Sequence, residues 1–188
     1  VLHCIGHNWA GVENLSLIPG NVGASPIQNI GAYGVELDDM FWSLEAFHLA
    51  ERRIHTFTTA DCEFGYRNSI FKNEYKDQFA ILSVTFQLRK KPIFHVSYGA
   101  ITEELEKMGV KELSIKAVSQ AVINIRSSKL PDPKEIPNAG SFFKNPEVPV
   151  AKYEELKLIF PEIVAYPVTK MTMKLAGGWM IEQCGWKG

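Results

Sequence analysis

Residues Ser141-Phe142-Phe143-Lys144-Asn145-Pro146 place a hydroxyl, an ammonium and a carboxamide beside two aromatic rings. Asn138, Ala139 and Gly140 lead into them; Gly140 lets backbone approach a ligand closely, and Pro146 ends the run. A second stretch has the same character: residues 20–34 read GNVGASPIQNIGAYG. Small residues, amides and hydroxyls in this density suit a large, polar, phosphate-bearing molecule. Neither stretch follows a helix or strand period, so both are expected on loops.

Arg67 lies in Cys62-Glu-Phe-Gly-Tyr-Arg-Asn-Ser-Ile-Phe-Lys72. Flanked by aromatics and glycine, it could be aimed at an anion, where its fork donates two hydrogen bonds. From residue type alone, a surface arginine in a solvated turn is the simpler reading. Ser141 could donate its proton to a developing carbanion or enolate, or it could cap the next turn. No Gly-x-Ser-x-Gly elbow surrounds it, which disfavours a hydrolase nucleophile. Lys129 and Lys144 could neutralise a diphosphate, although scattered lysines are usually solvated. Tyr98 and Tyr166 are candidate platforms for a nucleotide, or simply core and rim tyrosines. His3, His7, His48, His55 and His95 show no metal-ligand spacing, and His48 and His95 read as structural. Neither a Rossmann fingerprint nor a P-loop is present.

The elements that must carry these groups are legible in part. Val1–Ile5 reads as a strand, and Leu15-Ser16-Leu17-Ile18 as a strand or helix end feeding the glycine-rich loop. Residues 40–49 and 54–58 read as strands joined by a turn at Ala50–Arg53. In residues 79–90, Ala80, Leu82, Val84, Phe86 and Leu88 alternate with Ser83, Thr85, Gln87 and Arg89, predicting a strand with the first set on its dry face. Ile101, Leu105 and Met108 predict a helix stopped by Gly109. Ser114 caps another with Ile115, Val118, Val122 and Ile125 on one stripe. Lys129-Leu-Pro-Asp-Pro133 ends that helix and marks a boundary between residues 1–131 and 132–188. Helices are expected over Ala151–Phe160 and over Lys174–Cys184, the latter ended by Gly185.

The chain has 188 residues with a net charge of −1, so no global field favours nucleic acid or an anionic membrane. No apolar run has the roughly 18 residues of a membrane helix. Cys4, Cys62 and Cys184 are odd in number and far apart, which fits a reducing, cytoplasmic setting rather than a disulfide framework. The chain starts at Val1 without Met and stops at Gly188 with no terminal helix or tail, so it reads as a piece of a longer protein.

These motifs together resemble a known family. Residues 18–34, beginning Ile18-Pro19-Gly20, resemble the flavin-binding stretch of UDP-N-acetylenolpyruvoylglucosamine reductases, in the subclass with an extra tyrosine loop. Cys62–Lys72 resembles their catalytic-arginine segment. Lys129–Lys134 and Asn138–Pro146 resemble their substrate segments, and Lys174–Cys184 a late helix. The resemblance implies an α+β fold. Residues 1–131 would be the second part of a FAD-binding domain of the vanillyl-alcohol-oxidase (PCMH) type, incomplete at its start; residues 132–188 would begin a smaller substrate domain. It implies a cytoplasmic, monomeric flavoprotein oxidoreductase of peptidoglycan precursor synthesis, serving cell-wall biogenesis, cell shape and cell division. It would use FAD and NADPH to reduce UDP-N-acetylglucosamine enolpyruvate to UDP-N-acetylmuramate, with no nucleic-acid or membrane partner.

By motif position, Ser141 would protonate the enol carbon and Arg67 would stabilise the enolate. Pro19, Gly20, Gly23, Ser25, Pro26, Ile27, Asn29, Ile30, Gly31, Ala32 and Tyr33 would lie against FAD. Tyr98, Lys129, Asn145, Tyr166 and Lys187 would contact the substrate, with Tyr98 the mobile tyrosine over the nucleotide. The family's pyrophosphate loop would precede Val1 and its late glutamate would follow Gly188, so this chain alone is expected to bind FAD weakly and turn over little. Gly177, where the family commonly has alanine, is expected to weaken its helix by about 0.5–1 kcal/mol. Two alternatives use the same residues: a UDP-sugar-binding module without redox work, and a related FAD oxidoreductase with another substrate.

Overall fold

The computed structural model describes all residues except Gly99, Pro133, 138–141 and 187–188. Ser141 and Lys187 therefore lie outside the described residues. The chain divides into two compact units, Val1–Gly140 and Ser141–Gly188. Both mix helices with small sheets.

In the first unit, α1 (Leu2–Gly6) leads through two 3-10 turns to a two-stranded ribbon, β1 (Gly31–Ala32) and β2 (Val35–Glu36). Then come β3 (Phe41–His48), β4 (Arg53–Thr58), α2 (Thr59–Cys62), β5 (Phe79–Phe86), α3 (Ile101–Lys107) and α4 (Ile115–Lys129). The strands form an antiparallel sheet in the order β4-β3-β5. Its inner face, with Leu44, Ala46 and Phe57, packs on Cys62, Ile70 and Phe71. A second cluster joins Ile101 and Leu105 of α3 to Ala121, Val122 and Ile125 of α4; Tyr33 of the glycine-rich loop packs against it. Val12, Leu15, Val35 and Met40 form a third. Each fully buried branched side chain contributes roughly 1.5–3 kcal/mol, so the ribbon that carries the loop is anchored on two sides.

The predicted α4 stripe is buried, and Ser114 Oγ accepts a 3.1 Å bond from Ala117 N–H, a cap of about 1 kcal/mol. At the end of α3, Gly109 has φ +66° and Val110 N–H returns to Leu105 O, so glycine is needed there.

In this unit two expectations are corrected and one left open is decided. Val1–Ile5 is not a strand: Ile5 N–H bonds Val1 O, His7 Nδ1 pairs with His3 O at 2.9 Å, and Asn8 at φ +56° closes the turn. Of the two readings for Leu15–Ile18, the helix end holds and the strand does not: Leu15 is the last residue of the 3-10 turn Glu13–Leu15, and Ser16 caps it. In β5 the dry face changes parity. Glu45 pairs with Ser83 but Ala46 with Ile81, a bulge that leaves Leu82 unpaired and 56% exposed. Phe79, Ile81, Val84 and Phe86 therefore pack on the core, and Ala80 faces out.

The second unit contains β6 (Glu147–Pro149), α5 (Val150–Ile159), β7 (Ala165–Pro167), β8 (Thr172–Leu175) and α6 (Gly177–Gln183), with strand order β6-β8-β7. α5 answers the helix expected over Ala151–Phe160. The helix expected from Lys174 is corrected: Thr172–Leu175 is the central strand, and helix begins only at Gly177. Gly185 at φ +80° ends it, with Trp186 N–H on Ile181 O.

Candidate active site

Arg67 is the second central residue of a tight turn. Gly65 and Asn68 exchange two backbone hydrogen bonds of 3.1 and 3.0 Å across it. Arg67 has φ +52°, a conformation that favours glycine or asparagine. An arginine kept there points to a role for its side chain. Lys72 Nζ donates to Arg67 O at 3.1 Å, and the Arg67 guanidinium lies 5.1 Å from the centre of the Tyr66 ring.

The side chain reaches back to the glycine-rich loop. Nη1 donates to Glu36 Oε1 at 3.0 Å and to Asn29 O at 3.3 Å; Nη2 donates to Gly31 O at 2.5 Å. The ion pair is partly buried, with Arg67 26% and Glu36 33% exposed. The solvated surface arginine that residue type alone favours is therefore not what the structure contains. Gly31 makes this approach possible. A Cβ there would stand 2.7 Å from Arg67 Nη1, 2.8 Å from Glu36 Cγ and 2.9 Å from Val35 O.

Asn29 is the second fixed point of the loop. Fully buried at φ +44°, its Nδ2 donates to Glu36 Oε2 at 3.1 Å and Gly65 O at 3.2 Å, and its Oδ1 accepts from Asp38 N–H at 3.1 Å. Ser69 Oγ donates to Ile27 O at 2.7 Å, and Ser25 Oγ to Val22 O. Asn14 Nδ2 holds Tyr33 O at 2.9 Å and His95 O at 2.7 Å. Burial raises the Tyr33 phenol's pKa, opposed by the Arg126 charge. The polar side chains of this loop are thus largely turned onto the protein.

The predicted residues fall into distinct places. Pro19, Gly20 and Ile27 are exposed; Ser25, Pro26 and Asn29 are buried; Gly23, Ile30, Gly31, Ala32 and Tyr33 are half-buried. Tyr98, 47% exposed, lies over Gly34, where an added Cβ would come 3.4 Å from Tyr98 Cβ. Lys129 is exposed at the last residue of α4. Within the second unit, Asn145 Oδ1 accepts a 2.8 Å bond from Gly177 N–H, and Tyr166 stands opposite Lys174 in the sheet. A Cβ on Gly177 would meet Asn145 Oδ1 at 3.2 Å. Gly177 is the first residue of α6 rather than an interior one, so its helix-weakening effect is small there.

A groove of about 500 Å³ runs between the 21–27 turn and residues 71–81; Arg67 does not line it. Glu36, Asn14 and Ser69 also hold this site together, and none of them stands out by residue type. A half-buried guanidinium needs a carboxylate, and Glu36 follows the loop by two residues, so that requirement is the one signal pointing to it.

A family model described as the C-terminal domain of UDP-N-acetylenolpyruvoylglucosamine reductase matches residues 132–188. The chain is 52% identical over its whole length to the UDP-N-acetylenolpyruvoylglucosamine reductase of Flavobacterium johnsoniae, covering 56% of that protein. It is 53% identical, again over its whole length and 56% of the relative, to the one from Amoebophilus asiaticus. The chain spans about half the length of the curated relatives it matches. A crystal structure of UDP-N-acetylenolpyruvylglucosamine reductase from Thermus caldophilus aligns with a TM-score of 0.61 at 22% identity, over all of this chain and 50% of that one. The likeness of fold and the sequence identity agree: along the whole of its own length the chain resembles about half of these reductases.

Proposed function

We propose that this chain forms part of an NADPH-dependent flavoenzyme that reduces UDP-N-acetylglucosamine enolpyruvate to UDP-N-acetylmuramate. The observation that supports it is Arg67 fastened to the glycine-rich loop. One charged, aimed group stands against a stretch of small residues.

The loop suits a flat cofactor such as FAD. Gly20, at φ +115°, has open space where a Cβ would stand. Pro19, Gly20 and Ile27 would touch FAD directly. Ser25, Pro26 and Asn29 are buried and would contribute through backbone. When bound and reduced by NADPH, FAD supplies a hydride. The protein's part is then electrostatic and acid–base. Hydride addition to the enolpyruvyl double bond leaves negative charge on the carboxylate side, which Arg67 would hold. Ser141 would give a proton to the neighbouring carbon, so hydride and proton together saturate the bond. Lys129 and Lys187 would neutralise the diphosphate. Asn145, Tyr166 and Tyr98 would orient the nucleotide. Residues 1–131 would carry the FAD-binding part, of the vanillyl-alcohol-oxidase type, and 132–188 the substrate part. The enzyme would act as a cytoplasmic monomer.

The test is NADPH oxidation by the intact gene product that carries this sequence, with UDP-N-acetylglucosamine enolpyruvate added. Substrate-dependent oxidation yielding UDP-N-acetylmuramate is expected. A purified protein that stabilises thermally with the UDP-sugar but never takes up flavin would overturn the redox assignment.

A further inference from the structure

We infer that Glu36 is the positioning residue for Arg67, and that it leaves one edge of the guanidinium free for the carboxylate of the substrate. The inference rests on the functional reading above and concerns how its principal cation is aimed.

A guanidinium carries five N–H donors. Both Nη1 protons are taken, one by Glu36 Oε1 and one by Asn29 O. One Nη2 proton is taken by Gly31 O; Gly31 lies along the Nη1 side, its Cβ position 2.7 Å from Nη1, so we assign it the Nη2 proton that faces Nη1. Among the described residues, nothing accepts from Nε. The Nε–H and the remaining Nη2–H share one edge, the fork that matches a carboxylate with two parallel bonds. Two of the three contacts are backbone carbonyls of one short loop. Among the described residues Glu36 is the one charged partner, and its second oxygen is itself held by Asn29 Nδ2 at 3.1 Å. The carboxylate is therefore the pinned end of the pair. Without it, the guanidinium keeps its charge but loses the strongest contact that fixes its rotation. Tyr66 and the Gly65–Asn68 turn position the arginine's backbone; Glu36 positions its head.

A group that acts through Arg67 has a distinct kinetic mark. A freely rotating cation still attracts an anionic substrate, so binding survives while orientation suffers. In the intact gene product, Glu36→Ala is expected to lower kcat about 10- to 100-fold, the loss typical of a misplaced catalytic group, with KM changed less than about threefold. Combined with Arg67→Ala, it should cost nothing further, because neighbours acting through one group are non-additive. Glu36→Gln, which keeps an acceptor but sets an amide against Asn29 Nδ2, should fall between. Equal losses in the two backgrounds, or wild-type kcat in Glu36→Ala, overturn the inference. If Glu36→Ala does not fold, Glu36→Gln in both backgrounds decides by the same criterion. A second measurement needs no turnover: nitrogen-15 NMR of the Arg67 side chain. Separate Nη signals in the wild type that merge in the Glu36 variants support positioning; merged signals in both refute it. An inactive wild type would sink the functional reading while leaving this second measurement to judge the positioning.

Discussion

Residues 1–140 and residues 141–188 both present polar groups suited to a ligand, but they hold them differently. In the first unit, three buried clusters flank the loop, and Asn29, Ser25, Ser69 and Glu36 turn their polar atoms onto the chain itself. Arg67 is the product of that arrangement. In the second unit, Ile163 and Leu175 are the buried large apolar side chains among the described residues, while Phe142, Phe143, Leu158, Ile159 and Met171 are exposed. Asn145 accepts a hydrogen bond there from Gly177 N–H. The lesson is that one unit fixes its cation through packing, whereas the other presents its amide from a small sheet and a helix start. Free energies of local opening follow buried contact, so the two should respond differently to every perturbation.

The largest contrast should appear at the cysteines. Burial, with a smaller push from the nearby Asp61 charge, drives the Cys62 thiol up to about 12, whereas Cys184 of the second unit is exposed. At neutral pH an aromatic disulfide reagent should label Cys184 more than about a thousandfold faster than Cys62, which reacts only through unfolding. Because the folded pKa lies above the unfolded one, near 9.0, the protonated thiol's contribution is complete below that value. It is lost as pH rises towards 12, so urea midpoints should decline in that alkaline window and not below it. Rapid labelling of Cys62 in the folded protein would erase the contrast.

Next in size is Arg67→Ala. If Arg67 holds the developing anion as proposed, removing its charge should cost about 10²- to 10³-fold in kcat, read from NADPH oxidation. Asn145→Ala should instead act mainly on KM, by about tenfold, as expected for uniform binding. The same kinetic pattern for both would mean that the two units do not divide the work.

The glycines then sharpen the comparison. At Gly31 a methyl group meets guanidinium and backbone closer than 3 Å. Gly31→Ala is expected to destabilise by about 1–3 kcal/mol in urea unfolding and to lower turnover. At Gly177 the methyl's one tight contact would be Asn145 Oδ1 at 3.2 Å, with Lys144 O at an ordinary 3.9 Å, beside a short helix. Gly177→Ala should shift stability by less than about 1 kcal/mol, since the helix gains what the contact loses. Wild-type stability in Gly31→Ala would show that the loop can yield.

What the sequence made legible follows from how local each signal is. The α4 stripe and its Ser114 cap, the Gly109 stop and the β3–β4 hairpin are set by residues within a few positions of one another. The parity change in β5 is not local. It depends on Glu45 and Ala46 of the facing strand, so alternation alone put Ala80 and Leu82 on the wrong face. The strand at Thr172–Leu175 was hidden for the same reason: its partners, 147–149 and 165–167, are fixed by pairing, and only the paired glycines that follow mark where helix begins. At the site, the loop and Arg67 were visible as unusual residue types. The Glu36 pair was not, because 31 positions separate its members and nothing in either segment names the other. The order of motifs carried the resemblance to the reductases where geometry could not be read.

The most direct measurement is a crystal structure of the intact gene product with FAD and UDP-N-acetylglucosamine enolpyruvate bound. The account predicts the enolpyruvyl carboxylate on the Nε–Nη2 edge of Arg67, with the Glu36 and Gly31 contacts intact. A substrate bound elsewhere, with Arg67 still closed on the loop and facing no ligand, would contradict it.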